Sequence, residues 1–304
     1  MITSCRSVEP TRVGSTIHDG ITLVSSIVDQ VYVQDLTGCQ AIQEPILIAD
    51  MEAKGGAVKT LAGTARTATD PTFGAAKIAP FEANVTTFVD RNLSRLTPVA
   101  YEEKIRSIAM RALRRAVAAL IYNGDGQGTP DMFGIKTAKD TQGNPLYKTV
   151  SMSAIEAGFL DDLVFSYGGD EEIGGNARLF LTKTDLAAIG KLRNGDDKRI
   201  YEIVPDPANA NTGRIIDGGL IVPYTIGSAL TSLSGSVAGS ADIQTMLYGD
   251  PMNYELGLFG DYSIRIDESV KAVERMNAIL GDVFVGGNLI MKDGFVVATL
   301  PKTE

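Results

Sequence analysis

The apolar patterning of this 304-residue chain predicts an α+β fold. Three observations carry that prediction. Residues 98–122 hold one long, unbroken helical period. Strand-like runs stand on either side of it, and the last third of the chain is rich in them. Helices and strands do not alternate as they do in a doubly wound sheet.

The helix is the clearest element. Thr97 can serve as N-cap, and Pro98 suits the first helical position. Apolar side chains fall at Ile105, Ile108, Ala109, Ala112, Leu113, Ala116, Val117 and Leu120, one face of a 3.6-residue period. Glu102 and Glu103 come early and Arg111, Arg114 and Arg115 late, which complements the macrodipole. From Pro98 to Tyr122 the helix would be about 37 Å long at about 1.5 Å per residue. Asn123-Gly124 supplies a left-handed stop.

Before the helix, residues 1–42 read as an arm that packs on neighbours or as a flexible tail, with short apolar runs at 21–24 and 27–33 and no firm period. Residues 46–50, Ile-Leu-Ile-Ala-Asp, form a strand. Between Glu52 and Lys77 the large apolar residues shrink to Val58, Leu61 and Phe73. Ile78 to Val89 is again strand-like. Two strands around a stretch that cannot bury enough side chain to hold itself predict a long projecting hairpin.

After the helix, residues 123–130, Asn-Gly-Asp-Gly-Gln-Gly-Thr-Pro, are a dense turn cluster. An amphipathic helix is expected over 153–167, a strand over 177–182, and a short helix over 183–192 capped by Thr184. Short strands at 215–216 and 220–222 flank Asp217-Gly218-Gly219. A Gly/Ser-rich loop covers 227–241. Strands follow at 244–248, 254–259, 262–266, 284–285 and 295–300, and 276–280 is either strand or bend.

Composition excludes several classes. Lys and Arg number 28 against 37 Asp and Glu, a net charge of −9, and a dedicated DNA-binding module would be basic. Cys5 and Cys39, the two cysteines, make neither a disulfide framework nor a metal spacing. With one histidine, His18, a zinc site has too few ligands. The first residues, with Arg6, Glu9, Arg12 and Asp19, have no apolar core of a signal peptide. The longest uncharged run, 218–241, is too rich in Ser, Thr and Gly to span a membrane.

The glycines at 124, 126 and 128 invite a nucleotide reading, but a dinucleotide fingerprint follows a strand and opens a helix. Here the cluster follows a helix. A calcium loop counted from Asn123 would place Gly134 where a bidentate Glu is needed. Paired acids at Asp161-Asp162, Glu171-Glu172 and Asp196-Asp197 read as solvated charge. No cofactor, metal or catalytic residue is expected.

Residues 77–135 resemble the major capsid proteins of tailed bacteriophages with the Hong Kong 97-type fold. The likeness rests on the approach segment from Lys77-Ile-Ala-Pro-Phe81 to Phe88, the long spine helix, the Asn123-to-Pro130 cluster and Gly134-Ile135. The stretch 181–195 and the pair 247–250 and 262–266 are also similar to that family. The resemblance implies an N-arm (1–42), an E-loop hairpin (43–80), a P-domain with the spine helix (81–130), an A-domain (131–255), P-domain strands (256–285) and a final strand returning to the A-domain (286–304). It implies a self-assembling icosahedral head shell of hexamers and pentamers around double-stranded DNA, held without sequence-specific contact on an acidic inner surface. Portal, scaffold, decoration and head-completion proteins are implied partners. No long charged scaffolding segment begins the chain, so it was either removed from a precursor or is supplied separately.

From the same resemblance, Lys54, Lys59, Arg66, Arg111, Arg114 and Arg115 are candidate subunit-interface residues. Some family members join E-loop Lys to P-domain Asn covalently. Lys54 or Lys59 with Asn277, activated by Asp282, would be the matching set, although the spacing is loose. Cys5 and Cys39 could link neighbouring arms. Two rival readings share the physics only in part: an encapsulin-like protein compartment, and a soluble α+β enzyme.

Overall fold

A computed structural model describes residues 27–50, 70–90, 101–126, 132–168, 175–209, 211–271 and 273–302. The expected α+β architecture is observed, built on two main sheets and a separate two-stranded hairpin. In chain order the strands are β1 (Tyr32–Asp35), β2 (Ile42–Ala49), β3 (Thr72–Ile78), β4 (Phe81–Asp90), β5 (Lys148–Ser151), β6 (Arg178–Leu181) and β7 (Glu202–Pro205). They continue as β8 (Thr212–Asp217), β9 (Leu220–Ile226), β10 (Ile243–Gly249), β11 (Tyr254–Leu258), β12 (Ser263–Lys271), β13 (Met276–Leu289) and β14 (Phe295–Leu300). The helices are α1 (Tyr101–Asn123), α2 (Phe159–Val164) and α3 (Lys183–Lys191).

Strand β13 is the hub of the five-stranded sheet. It pairs antiparallel with β4 along 276–285, with β12 along 276–282 and with β11 along 285–289. Its first residues, 276–280, are thus strand. Strand β1 joins parallel to β11. The seven-stranded sheet runs β5-β14-β10-β6-β9-β8-β7, with the last strand of the chain second in the order.

Helix α1 lies on the five-stranded sheet. Its buried residues are Ala109, Leu113, Val117, Ala118, Ile121 and Tyr122, and a Cβ on Gly281 of β13 would come within 3.2 Å of Leu113. The periodicity is right, but the buried stripe is not the whole predicted face. Ile108 is 46% exposed, because nothing among the described residues covers it. The expected Thr97–Pro98 cap lies outside the described residues.

The returning chain caps the other end of α1. Gly124, Ile135 and Lys136 donate backbone N–H to the carbonyls of Leu120, Ile121 and Tyr122, three of the orphan acceptors every helix C-terminus carries. Gly134 donates to the Gly124 carbonyl at 3.0 Å. The two backbones cross so closely that a Cβ on Gly124 would sit 2.2 Å from the Met132 carbonyl oxygen, and one on Gly134 2.5 Å from the Gly124 nitrogen. Gly126 holds a left-handed φ of 63°. The glycines therefore serve a backbone crossing. A helix C-terminus, negative in its dipole, is the wrong end for phosphate.

Several local expectations change. The strand that returns from the hairpin is β3, in register from Ile42 opposite Ile78 to Leu47 opposite Phe73, with a shift before Ala49 meets Thr72. Residues 81–90 belong instead to the five-stranded sheet. The helix expected over 153–167 shrinks to the six residues of α2, because Gly158 takes φ 93°, which no helix interior accepts. Thr182, not Thr184, caps α3; its hydroxyl accepts from the Asp185 N–H at 3.1 Å. Residues 27–36, read as part of the arm, pack on their own chain, with Ile27, Val31 and Leu36 buried.

Two apolar clusters fill the interior. The first joins α1 and the five-stranded sheet to Phe180, Leu247, Phe295 and Val297 from one face of the seven-stranded sheet. The second lies on the opposite face, under α2 and α3. Asp185 is buried there with no cationic partner among the described residues. Its carboxylate accepts from the hydroxyls of Thr182, Ser232 and Ser234 and from the N–H groups of Leu233 and Ser234. Those bonds pin the Gly/Ser-rich loop, and neither motif nor period in the sequence marks them.

Two buried charges are less well served. The Lys136 ammonium donates to the Gln244 carbonyl at 3.0 Å, and desolvation pulls its pKa down to about 8. Glu255 of β11 is buried, one carboxyl oxygen lacks a hydrogen-bond partner, and desolvation, then the nearby Glu44 of the hairpin, push its pKa up to about 7.

Two predictions follow from these contacts. Gly124→Ala should cost about 3 kcal/mol or more by overpacking, whereas Gly239→Ala, where a Cβ meets nothing within 4 Å, should change stability by less than about 0.5 kcal/mol; urea unfolding compares them. For Glu255 the folded carboxyl binds its proton more tightly than the unfolded one, so stability falls as pH rises from the unfolded value of 4.5 through about 7. Glu255→Gln removes that slope. The variant should melt higher than wild type at pH 8 and equally at pH 4, followed by thermal shift.

Candidate assembly surfaces

Three basic residues on α1 were the legible part of the candidate surface. Arg114, with a side chain 35% exposed, reaches a residue of its own chain. Its guanidinium pairs with Asp29 at the end of the 3₁₀ turn Ile27–Asp29, and this contact ties the N-terminal segment to the helix. Its Nε is buried and lacks a hydrogen-bond partner among the described residues. Arg111 lies half-buried at the same place, and Arg115 is exposed.

The pair closes one side of a groove of about 430 Å³ lined by Val28, Val33, Met110, Leu256 and Leu258. Tyr262 stands beside it, its phenol pKa raised by burial and partly lowered by Arg114. Met110 in its wall is 39% exposed, and Ile108, on another side of the helix, is 46% exposed. A second, wider groove of about 930 Å³ runs between the start of β4 and the last turns of α1, with Phe81, Ala116, Leu120 and Phe284 in its walls.

The hairpin stem shows the same incompleteness. Leu47 and Phe73 face each other across β2 and β3, and they are 46% and 65% exposed. A two-stranded ribbon is marginal alone, and a bare cross-strand apolar pair adds to its need for cover. Lys54, Lys59 and Arg66 lie outside the described residues, as do Cys5 and His18. Cys39 is exposed with a free thiol.

Asn277 and Asp282 both lie on β13, where pairing with β4 is continuous through 276–285. Five residues apart on an unbroken strand, they point to opposite faces and stand roughly 16 Å apart. One chain therefore does not bring the acid to the amide. Among the described residues no group of three or more His, Cys, Asp or Glu could hold a metal, and no helix is long and apolar enough to cross a membrane.

If Arg114 serves the fold and Arg115 the surface, charge removal separates them. Arg114→Ala should lower the melting temperature by a few degrees, since it also uncovers packing around Tyr262. Arg115→Ala should leave it unchanged within the error of calorimetry.

The phage capsid family profile matches residues 10–300, and a search of curated proteins finds no match. Among solved structures, the capsid of a native GTA particle computed with C5 symmetry superposes with a TM-score of 0.73 at 17% identity, covering 97% of this chain and 96% of that one. The capsid of the empty GTA particle gives 0.71 at 17% identity, over 97% and 95%. A protein of Microbacterium phage Oxtober96 gives 0.65 at 16% identity, over 96% and 95%. Bare apolar grooves, a hairpin that needs cover and a family match over nearly the whole length agree: this chain is a member of the phage capsid family.

Proposed function

We infer that the chain is the major capsid protein of a tailed-phage head, a structural subunit that closes into an icosahedral shell around double-stranded DNA. The family match over residues 10–300 carries this reading. The exposed apolar residues of α1, β2 and β3 give it a physical cause. Each element that is unfinished in one chain is finished by another copy, and association then returns what the monomer lacks.

Within that reading the chain divides into an N-arm, an E-loop on the β2–β3 stem, a P-domain of α1 with the five-stranded sheet, and an A-domain on the seven-stranded sheet. Hexamers and pentamers form the shell, and a portal, scaffold, decoration and head-completion proteins act with it. The C5 symmetry named for the GTA capsids supports rings of five. Assembly takes place in the host cytoplasm and the product is the virion capsid. Lys54, Lys59, Arg66, Arg111 and Arg115 stand as interface residues, and Arg114 acts chiefly within its own chain. No catalytic step is assigned to the chain.

Overexpressed protein, imaged by electron microscopy, should form closed shells or capsomer rings. A stable monomer at micromolar concentration would sink the reading. Particles boiled in SDS should run as monomer, since Asp282 does not reach Asn277 within a chain. A ladder that survives reduction would show that a covalent link forms with an acid from elsewhere.

A further inference from the structure

The seven-stranded sheet is wider than what covers it. Strand parity puts Phe180, which is buried in the first cluster, on the same face as Arg178, Pro223, Arg214 and Val204. Those four residues form a row across β6, β9, β8 and β7. Near Phe180 the face meets the rest of the chain. Further out, Val204 and Ile221 are left bare, and a groove of about 390 Å³ opens along the row.

The groove carries two guanidinium groups, Arg178 and Arg214, against one carboxylate, Asp206, and exposed Glu202 shares the face with Val204. Arg214 is exposed and has no acidic partner among the described residues. Arg178 is half-buried, and its Nε is unpartnered. Asp250 offsets part of that charge. Asp206 at the rim is engaged in its own turn, accepting from the Ala208 N–H.

On the opposite face of the same layer, residues 159–165 carry carboxylates and no cation. Helix α2 buries Phe159, Leu160, Leu163 and Val164 in the second cluster. That leaves Asp161, Asp162 and Phe165 on the outside, the last 64% exposed. Two carboxylates beside a bare aromatic ring complement two guanidinium groups beside bare Val204 and Ile221.

We propose that the Arg178–Arg214 overhang of the seven-stranded sheet docks on the Asp161–Asp162–Phe165 face of α2 in the next copy of the chain. The contact is head to tail. An isologous dimer through the overhang would set Arg214 against Arg214, and one through α2 would set acid against acid. Unlike surfaces on opposite sides of one layer generate rings when the rotation closes. This contact rests on the shell reading above and names the surfaces that form its rings.

Charge exchange tests it. Arg214→Glu alone, and Asp161→Arg with Asp162→Arg, should each reduce the assembled fraction about tenfold or more, measured by native mass spectrometry and electron microscopy. All three changes together should restore assembly. A swap that assembles like wild type overturns the contact, and so does a triple variant no better than its parents at an unchanged melting temperature. Should a swap fail to fold, Phe165→Cys and Val204→Cys in a chain with Cys5→Ser and Cys39→Ser should give oxidised ladders between copies, and monomer bands alone overturn the proposal. A wild-type chain that never assembles overturns the shell reading and the contact with it. A wild-type shell indifferent to the swaps overturns the contact alone.

Discussion

The rest of the structure depends on one backbone crossing. Where α1 ends, residues 132–136 return across Gly124 and fill the helix's last carbonyls. Any Cβ at Gly124 or Gly134 would collide with main-chain atoms. The crossing sets the direction in which the chain leaves the helix, and with it the placement of everything after Met132. Tyr254 locks the arrangement from the five-stranded sheet. Its hydroxyl donates to the Phe133 carbonyl at 2.6 Å, and full burial holds the phenol pKa well above its usual value. Gly287 of β13 makes room for that ring, since a Cβ there would lie 2.2 Å from its oxygen. Helix, crossing loop and hub strand are thus one unit, joined by contacts that admit no larger side chain.

Around that unit the chain is well finished inside and poorly finished outside. Phe180 packs edge-on against Tyr122 at 6.1 Å and tilted against Phe295 at 6.2 Å, so the two sheets share aromatic contacts across the helix end. The exposed residues are different in kind. Leu47, Phe73, Ile108 and Phe165 are large, apolar and bare, and they sit on four separate elements. Single exposed apolar residues are ordinary. What gives these meaning is that each lies beside a groove, a half-covered helix or a ribbon that cannot stand alone. A subunit of a closed shell needs several unlike contacts, because each copy meets more than one neighbour.

Much of the fold was legible in the sequence, because it rested on period. The helix at 101–123 followed from apolar spacing, the hairpin from a core-poor stretch between strands, and the α+β class from element order. Boundaries failed where one residue overrode its neighbours, as Gly158 did in shortening α2. The candidate site was less legible. Arg111, Arg114 and Arg115 look alike as a charge run, and only their positions around the helix axis separate an intrachain partner of Asp29 from surface charge. Asn277 and Asp282 look like a pair until strand parity separates their faces.

The sequence by itself determined the long helix, most of the strands and the turn cluster that follows the helix. These are local matters of spacing and side-chain size. Only the tertiary structure decided which β2 partner closes the hairpin, that residues 27–36 belong to the body, that Asp185 anchors a loop nearly fifty residues away, and which sheet face is left bare. Each of these depends on contacts between residues distant in the chain, and a contact between distant residues leaves no period to read.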